Sequence, residues 1–166
     1  MVATLKRYLS EPKYRITLDD LVSKEVENVT ASTVGVAFDV RSQDTSGPAV
    51  LARLKSYEAA SATLMQMAFV AGQWSEGIQL TPWINALAKL AMRHQQGGGQ
   101  VMWLDLQRYP ATLLLYCFGL GAIASERWIA LNALFNANVS REHRADQRAM
   151  EVRSMTKHAA ARIDAR

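Results

Sequence analysis

Apolar positions recur along the chain at spacings of three and four, the period that places side chains on one face of an α-helix. Residues 2–10 read as a short first helix stopped by Pro12. Thr17 is placed to cap a second, with Asp20 three residues on as a weak capping box and Leu18, Leu21, Val22, Val26 and Val29 as its buried stripe. From 31 to 47 the pattern fails: Val34, Val36, Phe38 and Val40 alternate briefly, and a polar run ending in Gly47 follows. That stretch reads as a polar connector with a short extended piece. Ser46 and Pro48 then open the strongest helix, with Val50, Leu51, Leu54, Tyr57, Leu64, Met65 and Ala68 on its face and Gly72 as its terminator.

Another helix starts at Thr81-Pro82, carries Trp83, Ile84, Leu87, Leu90 and Ala91 on one side, and ends before Gly97-Gly98-Gly99. Residues 101–107 form a short helix or a strand, which periodicity does not separate at that length. Pro110 restarts a helix to about Ser125, and 126–136 is the last clear one. The expected fold is all-α, an irregular, loosely repeat-like stack of antiparallel helical hairpins with six or seven helices. One helical domain covers 1–139, and 140–166 is a charged, mobile tail, helical or disordered.

Shifted by 54 residues, 68–74 lies over 122–128, so that Trp74 falls on Trp128. Each copy is a long helix, a polar break and a tryptophan entering the next segment. This is the packing style of a helical hairpin wedged by an aromatic, as in tetratricopeptide-like repeats. The fixed small residues and the repeat length of roughly 34 that mark those repeats are not kept.

Composition narrows the classes. The 166 residues are 49% hydrophobic and 20% charged, which excludes a wholly disordered chain, a collagen-like chain and a multi-span membrane protein. The net charge of +4 is concentrated at the end: 1–139 hold 12 basic and 11 acidic side chains, and 140–166 hold seven and four. The high pI is therefore largely a property of the tail. No apolar h-region is visible near the start, which leaves a cytoplasmic location as the default and makes the triplets at Asn28 and Asn138 chance glycosylation matches. The uncharged stretch 109–125 sits at the edge of the length a bilayer needs and is diluted by Pro110, Gly119 and Gly121, so a buried core helix is the expectation there.

Candidate chemistry is sparse. Cys117, the single thiol, lies in an apolar run where desolvation raises its pKa, and it reads as a core cysteine. His94, His143 and His158 form no metal-ligand spacing, so no metal site is expected and no cofactor is indicated. The triple glycine lacks the Lys-Ser/Thr of a phosphate loop, and no G-x-S-x-G is present. Asp105 and Arg108, three apart, form an exposed ion pair or, if buried between helices, a pair that orients a ligand. Trp74, Trp83, Trp103 and Trp128 each fall near a helix end. They lock helix junctions or line a groove for a peptide or partner helix.

These features point to a non-enzymatic helical interaction or regulatory module, of the kind found within larger intracellular proteins, with a protein partner or a second copy as its occupant. Two alternatives stand beside it. One is a nucleic-acid-associated protein using the tail from Arg141 to Arg166, although its interleaved acids cancel much of the field. The other is a membrane-associated protein held through 109–125. No acid–base pair emerges to name an enzyme.

Overall fold

A computed structural model of the chain describes residues 2–92 and 99–136, and within them every regular element is helical, with no strand. Six α-helices follow in order: α1 (Val2–Ser10), α2 (Arg15–Ser32), α3 (Gly47–Trp74), α4 (Thr81–Ala91), α5 (Val101–Leu106) and α6 (Tyr109–Ala124). Residues 128–136 are helical as well. The protein is therefore all-α. It divides into a compact unit, Met1–Leu134, and a second, Phe135–Arg166, most of which lies outside the described residues together with the predicted tail.

Local chemistry sets the ends of these elements. Pro12 cannot continue α1, and Pro12–Tyr14 turns as a 3-10 helix directly into α2. Thr17 therefore lies inside α2 and is not its cap; the residue before the helix is Tyr14, which makes no side-chain capping bond. The stripe Leu18, Val22, Val26 and Val29 is buried as its spacing requires. In the connector, Phe38 and Val40 turn inward while Val34 and Val36 remain exposed, because Val36–Phe38 winds into a 3-10 turn where alternation suggested an extended piece. Ser46 Oγ accepts from the Ala49 amide and Pro48 occupies the first turn, so α3 starts where its sequence indicates. Residues 101–106, ambiguous by pattern, are helical.

Gly72 does not end α3. The helix continues to Trp74, and Gly72 is buried against α6. A Cβ on Gly72 would overlap the Phe118 carbonyl oxygen and lie 2.8 Å from the Ala122 nitrogen, while one on Gly121 would overlap the Phe69 carbonyl oxygen. Each helix thus presents a glycine to the other's backbone, the close approach that only a missing Cβ permits. Tyr109 near the start of α6 stands beside Tyr57 and Glu58 of α3, with ring centroids 6.4 Å apart and its hydroxyl donating to Glu58 at 2.9 Å. Contacts at both ends make α3 and α6 a parallel pair, side by side and joined through α4 and α5. The 54-residue echo thus relates two parallel neighbours.

The core gathers around this pair. Leu64, Met67, Ala68 and Ala71 of α3 meet Leu114, Phe118 and Ala122 of α6, and α1, α2, α4 and the stretch after Arg127 contribute Leu5, Leu18, Trp83, Leu90, Ala130 and Leu134. Each large apolar side chain taken fully from water contributes about 1.5–3 kcal/mol relative to exposure.

Candidate functional site

The parallel pair brings the ends of α3 and α6 to the same place. α3 stops at Trp74, where the Ser75 amide donates to the Ala71 carbonyl at 2.7 Å, and the chain turns through Gly77 at φ 49° into the 3-10 helix Gly77–Leu80. α6 stops at Ala124, Glu126 takes the left-handed conformation at φ 55°, and the Arg127 amide donates to the Ala122 carbonyl at 2.7 Å before the next helical stretch begins. A left-handed backbone is uncommon for a side chain other than Gly, Asn or Asp. Here it reverses the chain so that Arg127 meets Glu76. Their side chains form an ion pair across the two junctions, and Glu76 is further held by a capping box in which its carboxylate accepts from the Gln79 backbone while Gln79 reaches back to the Glu76 amide. Gln79 Nε2 also donates to the Leu9 carbonyl at 2.7 Å, tying the end of α1 to the same turn.

Two tryptophans flank this ion pair. Trp74 is 53% exposed and Trp128 58% exposed, with Ile78 and Ile129 also open to solvent. A cleft of about 620 Å³ lies on the Trp74 side, walled by Tyr8, Glu11, Arg15, Ile78 and Gln79 among others. A second, of about 560 Å³, lies on the Trp128 side over Leu80 and Ala130 and is bounded by Ser75, Glu76 and Arg127. Ser75 is buried and its Oγ has no hydrogen-bond partner among the described residues.

The four tryptophans do not line one groove. Trp83 is fully buried with its ring 6.2 Å from that of Phe118, because its position on α4 faces the α3/α6 pair. Trp103 is buried from the other side by the connector. Its indole nitrogen donates to the Ser42 carbonyl at 3.0 Å, and the Arg53 guanidinium stands 3.8 Å over the ring while donating to the Asp39 carbonyl. These two lock junctions; Trp74 and Trp128 are the pair left at the surface. Asp105 and Arg108 are both exposed and share only a backbone bond, so they are not a buried orienting pair and no ion pair joins them among the described residues.

Cys117 is half-buried, and desolvation pushes its thiol above the ordinary cysteine value. His94, His143 and His158 lie outside the described residues, as do Gly97 and Gly98. Among the described residues no group of three or more His, Cys, Asp or Glu side chains gathers where a metal could sit. None of the described helices is long and apolar enough to cross a membrane. α6 instead packs along α3 and leaves Tyr116, Leu120 and Ile123 at the surface.

Glu76 and Arg127 stand 51 positions apart in the sequence and carry no local motif, so single-residue reading passes them by. The 54-residue echo sets Trp74 over Trp128 but pairs Arg127 with Gln73 and Glu76 with Ala130, so it does not reach the bridge either. No family model, curated protein or solved structure matches this chain.

Proposed function

We propose that the protein is a non-enzymatic helical interaction module whose partner surface is the end where α3 and α6 finish together. The observation that carries this reading is the pair of half-exposed tryptophans, Trp74 and Trp128, set on either side of the Glu76–Arg127 ion pair. Tryptophan is among the residues most enriched at the energetic centres of interfaces, and a full half of each indole is left for a partner to cover. The ion pair and the capping box hold the two junctions together, so the aromatics are presented from a braced support. A protein partner or a second copy of the chain is the occupant this chemistry suits, with apolar contacts from Ile78 and Ile129 beside the indoles.

The test is site-specific photocrosslinking in cells, with a photoreactive residue at Ile129 and, as a reference, at Lys24 on the exposed face of α2. Discrete adducts from position 129, absent from position 24 and lost in Trp74→Ala/Trp128→Ala, are expected. An adduct of twice the 18.4 kDa chain mass identifies a second copy as the occupant. Adducts that persist unchanged without the two indoles, or that form equally from position 24, would remove this surface from consideration.

A further inference from the structure

Charge on the body of the chain is unevenly placed. Residues 1–16 carry four basic side chains, Lys6, Arg7, Lys13 and Arg15, against one acid, Glu11, whereas 17–139 carry eight basic and ten acidic. In sequence the early cations occur as two clusters around aromatics, Lys6-Arg7-Tyr8 and Lys13-Tyr14-Arg15. The turn at Pro12 folds one cluster against the other. The Tyr8 and Tyr14 rings lie 5.1 Å apart, Arg7 donates to the Tyr14 hydroxyl at 2.6 Å and stands over its ring, and Lys13 sits 4.9 Å from the same ring. Lys6 reaches to the half-exposed indole of Trp74, 5.6 Å from its centroid. Of the nearby carboxylates, Glu11 pairs with Lys13 at 2.5 Å and Glu76 with Arg127, while Asp19, one turn beyond Arg15 on α2, borders with it a smaller cleft that Trp74 does not line. Arg15 forms no ion pair among the described residues and borders the cleft beside Trp74.

We propose that this cationic-aromatic surface, formed by α1, the Pro12–Tyr14 turn and the end of α3, binds single-stranded nucleic acid. Cations beside flat rings are what a phosphate backbone with unstacked bases requires, since the bases stack on aromatic faces while the phosphates meet lysine and arginine. An acidic polypeptide would use the cations and leave the rings without a stacking partner. Trp74 offers the largest open face, and Lys6 over it is a placeholder. A base that stacks on the indole moves the ammonium outward to a phosphate, exchanging one cation–π contact for a stack and a charge contact. This surface uses none of residues 140–166 and stands independently of the protein-partner reading. The two share Trp74 and differ at every cation and at Trp128.

The test is fluorescence anisotropy of labelled oligothymidylate of about 15 nucleotides, within the span of a compact single-strand site. The full chain is titrated between about 50 and 200 mM salt, the range in which phosphate contacts declare themselves. Each phosphate neutralised on a single strand contributes about 0.7 to the slope of log affinity against log salt, so Lys6→Gln/Arg15→Gln should flatten that slope by about 1.4. Trp74→Ala should weaken binding at least about fivefold at fixed salt, and Trp128→Ala should leave it unchanged. All four side chains are solvent-exposed, and far-UV circular dichroism checks that each variant remains folded. A slope unaltered by the double substitution would overturn the proposal and move any binding to another basic segment such as 140–166. Absence of binding would overturn it as well. Polyglutamate competing as strongly as oligothymidylate, with Trp74→Ala without effect, would make the surface one for an acidic protein.

Discussion

Three helical glycines should respond to the same substitution with opposite signs. Alanine is favoured over glycine within a helix by about 1 kcal/mol when nothing obstructs the added methyl. At Gly119 the new Cβ meets only the Leu131 Cδ1 at 3.5 Å, an ordinary van der Waals contact, so Gly119→Ala should stabilise by close to that full amount. At Gly121 the Cβ would overlap the Phe69 carbonyl oxygen and lie 3.3 Å from the Gln73 nitrogen, and at Gly72 it would overlap the Phe118 carbonyl oxygen. These obstacles are backbone atoms of a facing helix, which no rotamer change can clear, so the helices must separate and unpack the Phe118 and Met67 layer. Overpacking of this kind costs about 1–3 kcal/mol and occasionally more, and a backbone obstacle puts both sites at the upper end. Net of the propensity gain, each substitution should destabilise by roughly 2 kcal/mol, a fall in Tm of about 4–8 °C for a chain of this length, against a rise of about 2–4 °C for Gly119→Ala. The double variant Gly72→Ala/Gly121→Ala should fall short of the sum, because the first separation makes room for the second methyl. Thermal and urea unfolding followed by circular dichroism measures all four. If Gly121→Ala raised Tm as Gly119→Ala does, the close parallel approach of α3 and α6 would be refuted, and with it the common end that holds Trp74 and Trp128.

Other consequences can be checked in the same preparations. Trp103→Phe removes the indole donor to the Ser42 carbonyl and part of the Arg53 stack, whereas the buried Trp83 nitrogen has no hydrogen-bond partner among the described residues; Trp103→Phe should therefore be costlier than Trp83→Phe by about 1–2 kcal/mol in urea unfolding. The Asp44 carboxyl is held below the usual aspartate value by the Ser46 hydroxyl and then by the Ser46 amide. A depressed folded pKa gives a contribution fully present above the unfolded value of about 4 and lost as pH falls through the folded one. Urea midpoints for the native chain and Asp44→Asn should therefore differ near neutral pH and converge in acid. Burial raises the Cys117 thiol pKa, so at about pH 8 it should react with iodoacetamide more slowly than free cysteine and gain speed in urea.

Helix existence was legible because burial and spacing agree: Leu18, Val22, Val26 and Val29 are buried where a 3.6-residue period places them, and the Ser46–Pro48 start appears as written. Short-range chemistry misled where tertiary contact prevailed. Gly72 resembles a helix stop in isolation, yet the carbonyl of Phe118, 46 positions away, is what requires a glycine there. Val34, Val36, Phe38 and Val40 alternate like a strand, but only Phe38 and Val40 have a core to enter, and the Val40 carbonyl accepts from the Gln100 amide at 2.8 Å in a single tie without a ladder. The tryptophans were recognisable as helix-junction residues from sequence, while their division into two buried and two exposed was not. That division depends on which side of each helix faces the α3/α6 pair, a property of the assembled bundle. The Glu76–Arg127 bridge was beyond local reading for the same reason.

The exposed indoles also set how large a partner contact must be. A tryptophan can bury up to about 250 Å², so the halves left open on Trp74 and Trp128 offer on the order of 130 Å² each. At about 25 cal/mol per Å² that is roughly 3 kcal/mol per indole. Association costs an estimated 4–15 kcal/mol in lost translational and rotational freedom, so the two rings together only reach the lower part of that range. A partner that covered them alone would bind weakly, and the proposed interface must extend over Ile78 and Ile129, which are also open to solvent. Within such an interface either indole is decisive. Removing about 3 kcal/mol weakens binding by roughly a hundredfold, so Trp74→Ala and Trp128→Ala should each abolish the position-129 adduct with helical content unchanged. Substituting the fully buried Trp83 with alanine should instead lower stability by about 3–5 kcal/mol and act on binding only through the loss of folded protein. Adduct loss without unfolding from the surface indoles, and unfolding from Trp83→Ala, is the pattern that separates a partner surface from a set of core tryptophans. Equal unfolding from all three would show that Trp74 and Trp128 serve only the fold.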